Sequence, residues 1–287
     1  MKKKVKWIVL LCVILLVIGG AAVLQFNPHY LYIIGEHLGV NCSRIEMHTA
    51  VPDNVKQFTL EELKINDRVR FDQSAMLINT EYLLPEDYVP SLSQYKDTDV
   101  QINETLQEAY EKLSLAVNKE TGGKLYVSSA YRTADKQQEL YEEDPSNANI
   151  PGASEHQAGL ALDVFVQYYA GFGFIKTDAG QFVNSNCWKY GFIIRYPSFG
   201  KDETGVKFEP WHIRYVGEPH AKIIYNNHLT LEEYIHSLEN GVWYEVDNNL
   251  ISRQEVNENG MISLPDNYSN LVISPDNTGS YIITVTK

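Results

Sequence analysis

Apolar and polar positions follow three rhythms along this chain, and each rhythm predicts a different kind of element. Residues 7–24 are 18 consecutive positions without a charge or a strongly polar side chain. At ~1.5 Å rise per residue such a run nearly spans a hydrocarbon core of ~30 Å. A second rhythm, of about 3.6 residues, marks helices. Leu106, Ala109, Tyr110, Leu113 and Val117 share one helical face, Asn103 stands ahead of them as a cap, and Gly122-Gly123 closes the helix. Thr133 caps a helix predicted to run to about Glu143. Residues 178–189 form another that stops near Gly191, residues 218–226 a further one, and Thr230 with Glu233 forms a capping box for a last helix to about Leu238. Residues 59–63 predict a short helix within an otherwise mixed stretch, 25–74, that reads as a spacer. The third rhythm, strict alternation, predicts strands at 75–79, 125–129, 160–166, 192–196 and 212–216. Residues 84–90 form a loop stiffened by Pro85 and Pro90. Beyond Gly241 the chain alternates, carries Asn-Gly and Asp-Asn turn sequences, and shows no helical period, so 241–287 reads as a small β appendage. Helices and strands that intermix without a regular βαβ rhythm predict an α+β core.

Composition narrows the class. With 44% hydrophobic and 21% charged residues among 287, the chain buries a core and is not disordered throughout. Three cysteines are too few for a disulfide scaffold, and a Cys42–Cys187 bridge has no local sequence support. The net charge of −13 hides an asymmetry, because four lysines lie in the first six residues and the remainder carries 20 basic against 37 acidic residues. A body that acidic, with no basic stripe, excludes nucleic acid as a partner. Lysines ahead of the apolar run leave residues 1–6 in the cytoplasm and everything after residue 25 outside. We expect a retained single-pass anchor over 7–24. The small residues Gly19-Gly20-Ala21-Ala22 keep a cleaved signal peptide as the rival.

Two segments carry chemistry. In the run 154–163, Asp163 falls inside an apolar alternating strand, where a lone carboxylate costs several kcal/mol unless something neutralises it. A divalent cation does so, and His156 lies just upstream; an arginine partner for Asp163 would serve as well. In Glu209-Pro210-Trp211-His212, the proline keeps Glu209 out of helical backbone. An extended, three-per-turn stretch then projects 209 and 212 to one side. A hydrolytic zinc site needs three protein ligands, an open position for water and a carboxylate to take its proton. His156, Asp163 and His212 supply two nitrogens and an oxygen, and Glu209 the base. A surface Glu209 and a packed strand histidine are the plainer reading of the second segment alone. Each segment resolves the other's awkward group. His220, His228 and His236 read as solvated histidines on helices, and Arg195 and Arg214 as partners of structural carboxylates.

The run 128–133 (SSAYRT), Gln137, the run 154–163 (SEHQAGLALD), 188–197 (WKYGFIIRYP) and 209–217 (EPWHIRYVG), with the Leu-Pro-x-x-Tyr-x-Pro loop at 84–90, resemble the VanY-type zinc D-alanyl-D-alanine carboxypeptidases in order and spacing. The resemblance covers about 75–238. It implies a single zinc-peptidase domain of the Hedgehog/DD-peptidase type, with one Zn2+ per chain on His156, Asp163 and His212, and Glu209 as general base. It further implies that Arg132 faces the scissile carbonyl and that Gln137 and Ser154 contact substrate. Ala130 departs from the glycine often found before the Tyr-Arg pair. The implied enzyme is a metallopeptidase of the Gram-positive cell membrane with its catalytic domain extracellular. It would remove the terminal D-Ala from peptidoglycan stem peptides or their lipid-linked precursors, in cell-wall remodelling or glycopeptide (vancomycin-type) resistance. An L,D-carboxypeptidase on tetrapeptides shares the same zinc site. A non-catalytic binding module of the same fold needs neither Glu209 nor Arg132.

Overall fold

The computed structural model describes residues 19–20, 23–266 and 270–287, so the expected anchor at 7–24 and the cytoplasmic 1–6 lie largely outside the described residues. Among the described residues no helix is long and apolar enough to cross a membrane. In chain order the strands are β1 (His48–Ala50), β2 (Lys56–Thr59), β3 (Val69–Phe71), β4 (Leu92–Gln94), β5 (Gln101–Asn103), β6 (Tyr126–Ser129), β7 (Ala161–Phe165), β8 (Phe192–Ile194), β9 (His212–Tyr215), β10 (Trp243–Val246), β11 (Asn249–Glu255), β12 (Met261–Leu264), β13 (Asn270–Pro275) and β14 (Ser280–Thr286). The helices are α1 (His29–His37), α2 (Leu60–Lys64), α3 (Gln107–Thr121), α4 (Ala134–Glu143), α5 (Asp178–Asn186), α6 (Lys201–Thr204), α7 (Glu218–Asn226) and α8 (Leu231–Ser237). The architecture is α+β, as the mixed rhythm predicts.

A four-stranded antiparallel sheet, ordered β6-β7-β9-β8, forms the centre. Strand alternation splits its side chains between two faces. Leu162, Val164, Ile213 and Tyr215 enter a core shared with Tyr110, Leu113 and Val117 of α3 and Val183 of α5. Each fully buried aliphatic side chain there contributes on the order of 1.5–3 kcal/mol. Asp163, His212 and Arg214 have the other parity and occupy the opposite face. Helix ends follow the sequence closely: Gly122 takes a left-handed φ of 71° at the end of α3, Thr133 caps α4, and Thr230 and Glu233 form the reciprocal box at α8.

A second sheet, ordered β1-β10-β11-β14-β13-β3, corrects the expectation for both chain ends. The stretch read as a spacer supplies β1 and β3 to this sheet, and β2 pairs with β12, so 25–74 folds with 241–287 as one β unit. Nor is that unit an outlying appendage. Tyr244, Val246, Ile251 and Ile282 share one core with Ile224 of α7 and with Leu231, Tyr234 and Ile235 of α8. The expected strand at 75–79 is absent. Its four consecutive apolar side chains, Ala75 to Ile78, are all buried, but its backbone bonds to the β unit instead of to a strand partner, with Ala75 N on Ser274 Oγ (3.0 Å) and Leu77 N on the Asp276 carbonyl (3.0 Å). Cys42 and Cys187 are both free thiols.

Candidate active site

The register of the central sheet builds the site. Asp163 on β7 stands directly opposite His212 on β9 and Ser129 on β6. His156 reaches the same place from a short 3-10 turn, Glu155–Ala158, that feeds β7. Gly159 ends that turn at φ 66°, and a Cβ there would come within 2.7 Å of Leu92 Cδ2 and 2.9 Å of the Asn103 nitrogen. Only glycine fits this left-handed, crowded point without strain. The Glu209-Pro210-Trp211-His212 segment is a turn, not the extended stretch that the proline suggests: His212 N donates to the Glu209 carbonyl at 3.1 Å. The turn still puts both side chains on one side, with Glu209 Oε2 3.7 Å from His212 Nδ1. Asn184 Nδ2 holds the turn from α5 through the Pro210 carbonyl at 2.8 Å.

His156 Nδ1 lies 2.7 Å from the Ala130 carbonyl, which takes its proton and leaves Nε2 facing Asp163 Oδ2 at 3.5 Å. His212 Nδ1 lies 3.1 Å from Asp163 Oδ1. Donors around a tetrahedral ion at about 2.1 Å stand about 3.4 Å apart, so the spacing suits a small cation. One donor atom from each of His156, Asp163 and His212 falls within 4.8 Å of the others. Asp163 Oδ1 and His212 Nε2 are buried without hydrogen-bond partners. Orphaned buried polar atoms are rare, and a bound ion at Asp163 accounts for the first.

Electrostatics favour the same reading. Burial pushes Asp163 toward its neutral form, but the adjacent His156 and His212 override it and hold the carboxyl well below the usual range. His212 feels burial in the opposite sense, yet the Asp163, Glu155 and Glu209 carboxylates that face it raise it to about 10. Burial also lifts Glu209 above the ordinary carboxylate range; His212 opposes this and the Asp163 charge adds to it.

Arg132 is fixed by Gln137 Oε1 and Ser129 Oγ, each accepting at 2.8 Å, while its own N–H donates to the His156 carbonyl. Gln137 is buried, and its Nε2 donates to the Asn149 carbonyl at 2.6 Å, so both ends of its amide are engaged within the protein. Ser154 precedes the 3-10 turn without capping it. Arg132, Gln137, Ser154, His156, Asp163, Glu209 and His212 line a cleft of about 710 Å³ that is also lined by Lys201, Lys207 and Phe208. Sequence reading missed Glu155, buried against Arg195 and Arg214, and Tyr196, whose ring lies 5.0 Å from that of His212. Two arginines on apolar strands were the available sign that a buried carboxylate had to exist.

The chain is similar to known proteins. Residues 99–218 match the family profile described as VanY, D-alanyl-D-alanine carboxypeptidase. A D-alanyl-D-alanine carboxypeptidase of Enterococcus faecium is 30% identical over 264 residues, covering 83% of this chain and 82% of that one. Among solved structures, a mutant of the vancomycin resistance D,D-pentapeptidase VanY from a VanB-type cassette, in complex with Zn(II), is 32% identical with a TM-score of 0.52, over 57% of this chain and 99% of that one. The LdcB LD-carboxypeptidase is 34% identical with a TM-score of 0.54, over 62% of this chain and 94% of that one. The chain belongs to the VanY family of D-alanyl-D-alanine carboxypeptidases.

Proposed function

We propose that the protein is a zinc carboxypeptidase that removes the terminal D-alanine from peptidoglycan stem peptides ending in D-Ala-D-Ala, or from their lipid-linked precursors. The observation that carries this reading is the meeting of His156, Asp163 and His212 in one cleft, with the Glu209 carboxylate 3.7 Å from the last of them. The VanY relative's complex with Zn(II) supports zinc as the ion. Bound there, zinc would supply Lewis-acid chemistry, polarising the scissile carbonyl and acidifying water to a pKa of about 7.

The chain's own groups do the rest. Glu209 takes the proton of the attacking water and delivers it to the leaving amine of D-alanine; its raised pKa brings it nearer to neutrality, where a general base works best. Arg132 receives the charge that develops on the carbonyl oxygen. Two of its nitrogens are already committed to Gln137 and Ser129, which aims the remaining donors and avoids reorganisation during the reaction. Gln137 then acts through Arg132, and Ser154 offers its hydroxyl to the peptide. Residues 7–24 anchor the protein in the cell membrane with 1–6 inside, so the peptidase unit, 75–238, works on the outer surface. Removal of D-Ala-D-Ala endings there serves cell-wall remodelling or glycopeptide resistance.

The test is to incubate the full chain, extracted in detergent, with pentapeptide and tetrapeptide stems and weigh the products. Loss of one alanine from the pentapeptide is expected. Trimming of the tetrapeptide alone would assign the L,D-carboxypeptidase activity named for LdcB. Zinc binding without any cleavage would establish a binding module.

A further inference from the structure

Next to His212 four charged side chains are buried together. Glu155 Oε1 accepts from Arg195 Nε at 2.6 Å and from Arg214 Nη1 at 3.4 Å. Arg195 also grips both oxygens of Glu232 on α8, at 2.8 and 2.6 Å. Arg214 Nη2 donates to the Ser74 and Met76 carbonyls at 3.1 and 2.8 Å. Both guanidiniums and the Glu155 carboxylate have no exposed side-chain surface, and Glu232 has 5%. Two cations and two anions cancel, which is what allows such a cluster to be buried at all.

Two atoms stand outside this pattern, Arg214 Nε and Glu155 Oε2, and the second faces the metal-site histidine. Glu155 Oε2 is buried and takes no hydrogen bond within the cluster, and it lies 3.6 Å from His212 Nε2, which is buried and equally unpartnered. The other ring nitrogen of His212 already faces Asp163 Oδ1 and Glu209 Oε2. At 3.6 Å the two stand just outside hydrogen-bond length, with a ring nitrogen able to donate facing an oxygen able to accept. We infer that Glu155 is a positioning residue for the metal centre: its Oε2 accepts the Nε2 proton of His212, which fixes the tautomer and turns the Nδ1 lone pair toward His156 and Asp163. A carboxylate behind a ligating imidazole also raises its basicity. His156 is set in the opposite sense by the Ala130 carbonyl at Nδ1. The two histidines therefore present different nitrogens to one centre, each fixed by its own partner. This inference rests on the metal-site reading above.

Zinc affinity by chelator competition, on the full-length wild type, Glu155→Gln and Glu232→Gln, tests it together with nitrogen-15 histidine spectra of the zinc-loaded wild type. Glu155→Gln should lose about 10- to 100-fold in zinc affinity, the usual effect of removing a carboxylate behind a metal ligand. Glu232→Gln strips Arg195 of its other anion without touching His212. It should unfold more easily yet bind zinc within about threefold of the wild type, as a change outside the ligand's own support should. The spectra should show His212 protonated at Nε2, a result that does not depend on any variant folding. An unprotonated Nε2, equal affinities in Glu155→Gln and wild type, or equal losses in the two variants would each overturn the inference while leaving the zinc site intact. A wild type that takes up no zinc would defeat the metal-site reading and this inference with it.

Discussion

Glu209 touches the centre without being one of its three metal-binding groups, and that separation is measurable. Glu209→Gln keeps the side chain's shape and removes its capacity to accept a proton. We expect it to fold, to retain zinc, and to lose on the order of 10²–10⁴ in kcat on D-Ala-D-Ala-ending peptide. Wild-type turnover in that variant would remove Glu209 from the mechanism. The residues with chemistry of their own were legible in the sequence, because a carboxylate in an apolar strand and a histidine after a Glu-Pro turn are awkward without a shared purpose. Glu155 was not legible. Its importance comes from Arg195, just after β8, and Arg214 on β9, and only the antiparallel pairing of those two strands brings them side by side. His220 was misread as solvated. It is buried, with Nδ1 2.6 Å from Tyr234 Oη and Nε2 2.9 Å from Thr284 Oγ1, and the second partner lies 64 residues further on. Helical spacing says nothing about a strand that packs on the helix from so far along the chain.

At the scale of elements, His220 is a rivet between α7, α8 and β14. Burial lowers its pKa from 6.5 to about 4, so the folded protein holds it neutral. The unfolded chain takes up a proton below about pH 6.5 and the folded one only below about 4, so stability is full above 6.5 and falls as the pH drops through that window. The loss reaches about 3 kcal/mol. Urea unfolding at pH 7.5 and at pH 5 should show it, and His220→Gln should narrow the difference between the two. The turn that delivers His156 to β7 is a second sensitive joint. Gly159→Ala must hold a left-handed backbone while its methyl meets Leu92 and the Asn103 backbone. We expect a cost of about 1–3 kcal/mol or more, visible as a lower Tm. Helices were the most legible elements, since Thr133, Thr230 and Gly122 mark their own ends. Residues 75–79 show the opposite case: a short apolar run reports burial on both sides without saying what the backbone pairs with, and here it found carbonyl and hydroxyl partners in place of a strand.

For the whole molecule, the β unit is part of the peptidase. Asn277 Nδ2 donates to the Leu77, Tyr82 and Leu83 carbonyls at 3.0, 3.1 and 3.2 Å, and residues 74–76 in turn receive Arg214. Support for His212 thus runs from the C-terminal turns through that loop into the buried ion cluster. A chain ending at residue 240 should expose the apolar side of α7 and α8 and show no cooperative thermal transition. A chain beginning at residue 75 should fail alike, because β13 and β10 lose their partners β3 and β1. A sharp transition in either shortened chain would show the β unit to be separable. The β character of 241–287 was legible, but its union with 25–74 was not, since strands of three or four residues such as β1, β2 and β3 carry almost no periodic information and their partners lie at the other end of the sequence.

That closure of one end upon the other sets the order in which the protein can be made. Ala75 and Ser274 are 199 positions apart, and β3 pairs in parallel with β13 across a similar distance. Contacts of such long range are slow to form, because loop closure comes before any reward. A chain synthesised from its N-terminus presents β1, β2 and β3 first, and they wait unpaired until almost the last residue has been made. The loop that supports Arg214 is likewise the first part written and among the last to be secured. A fragment that stops before β10–β14 leaves that loop unsecured, so we expect it to show no carboxypeptidase activity.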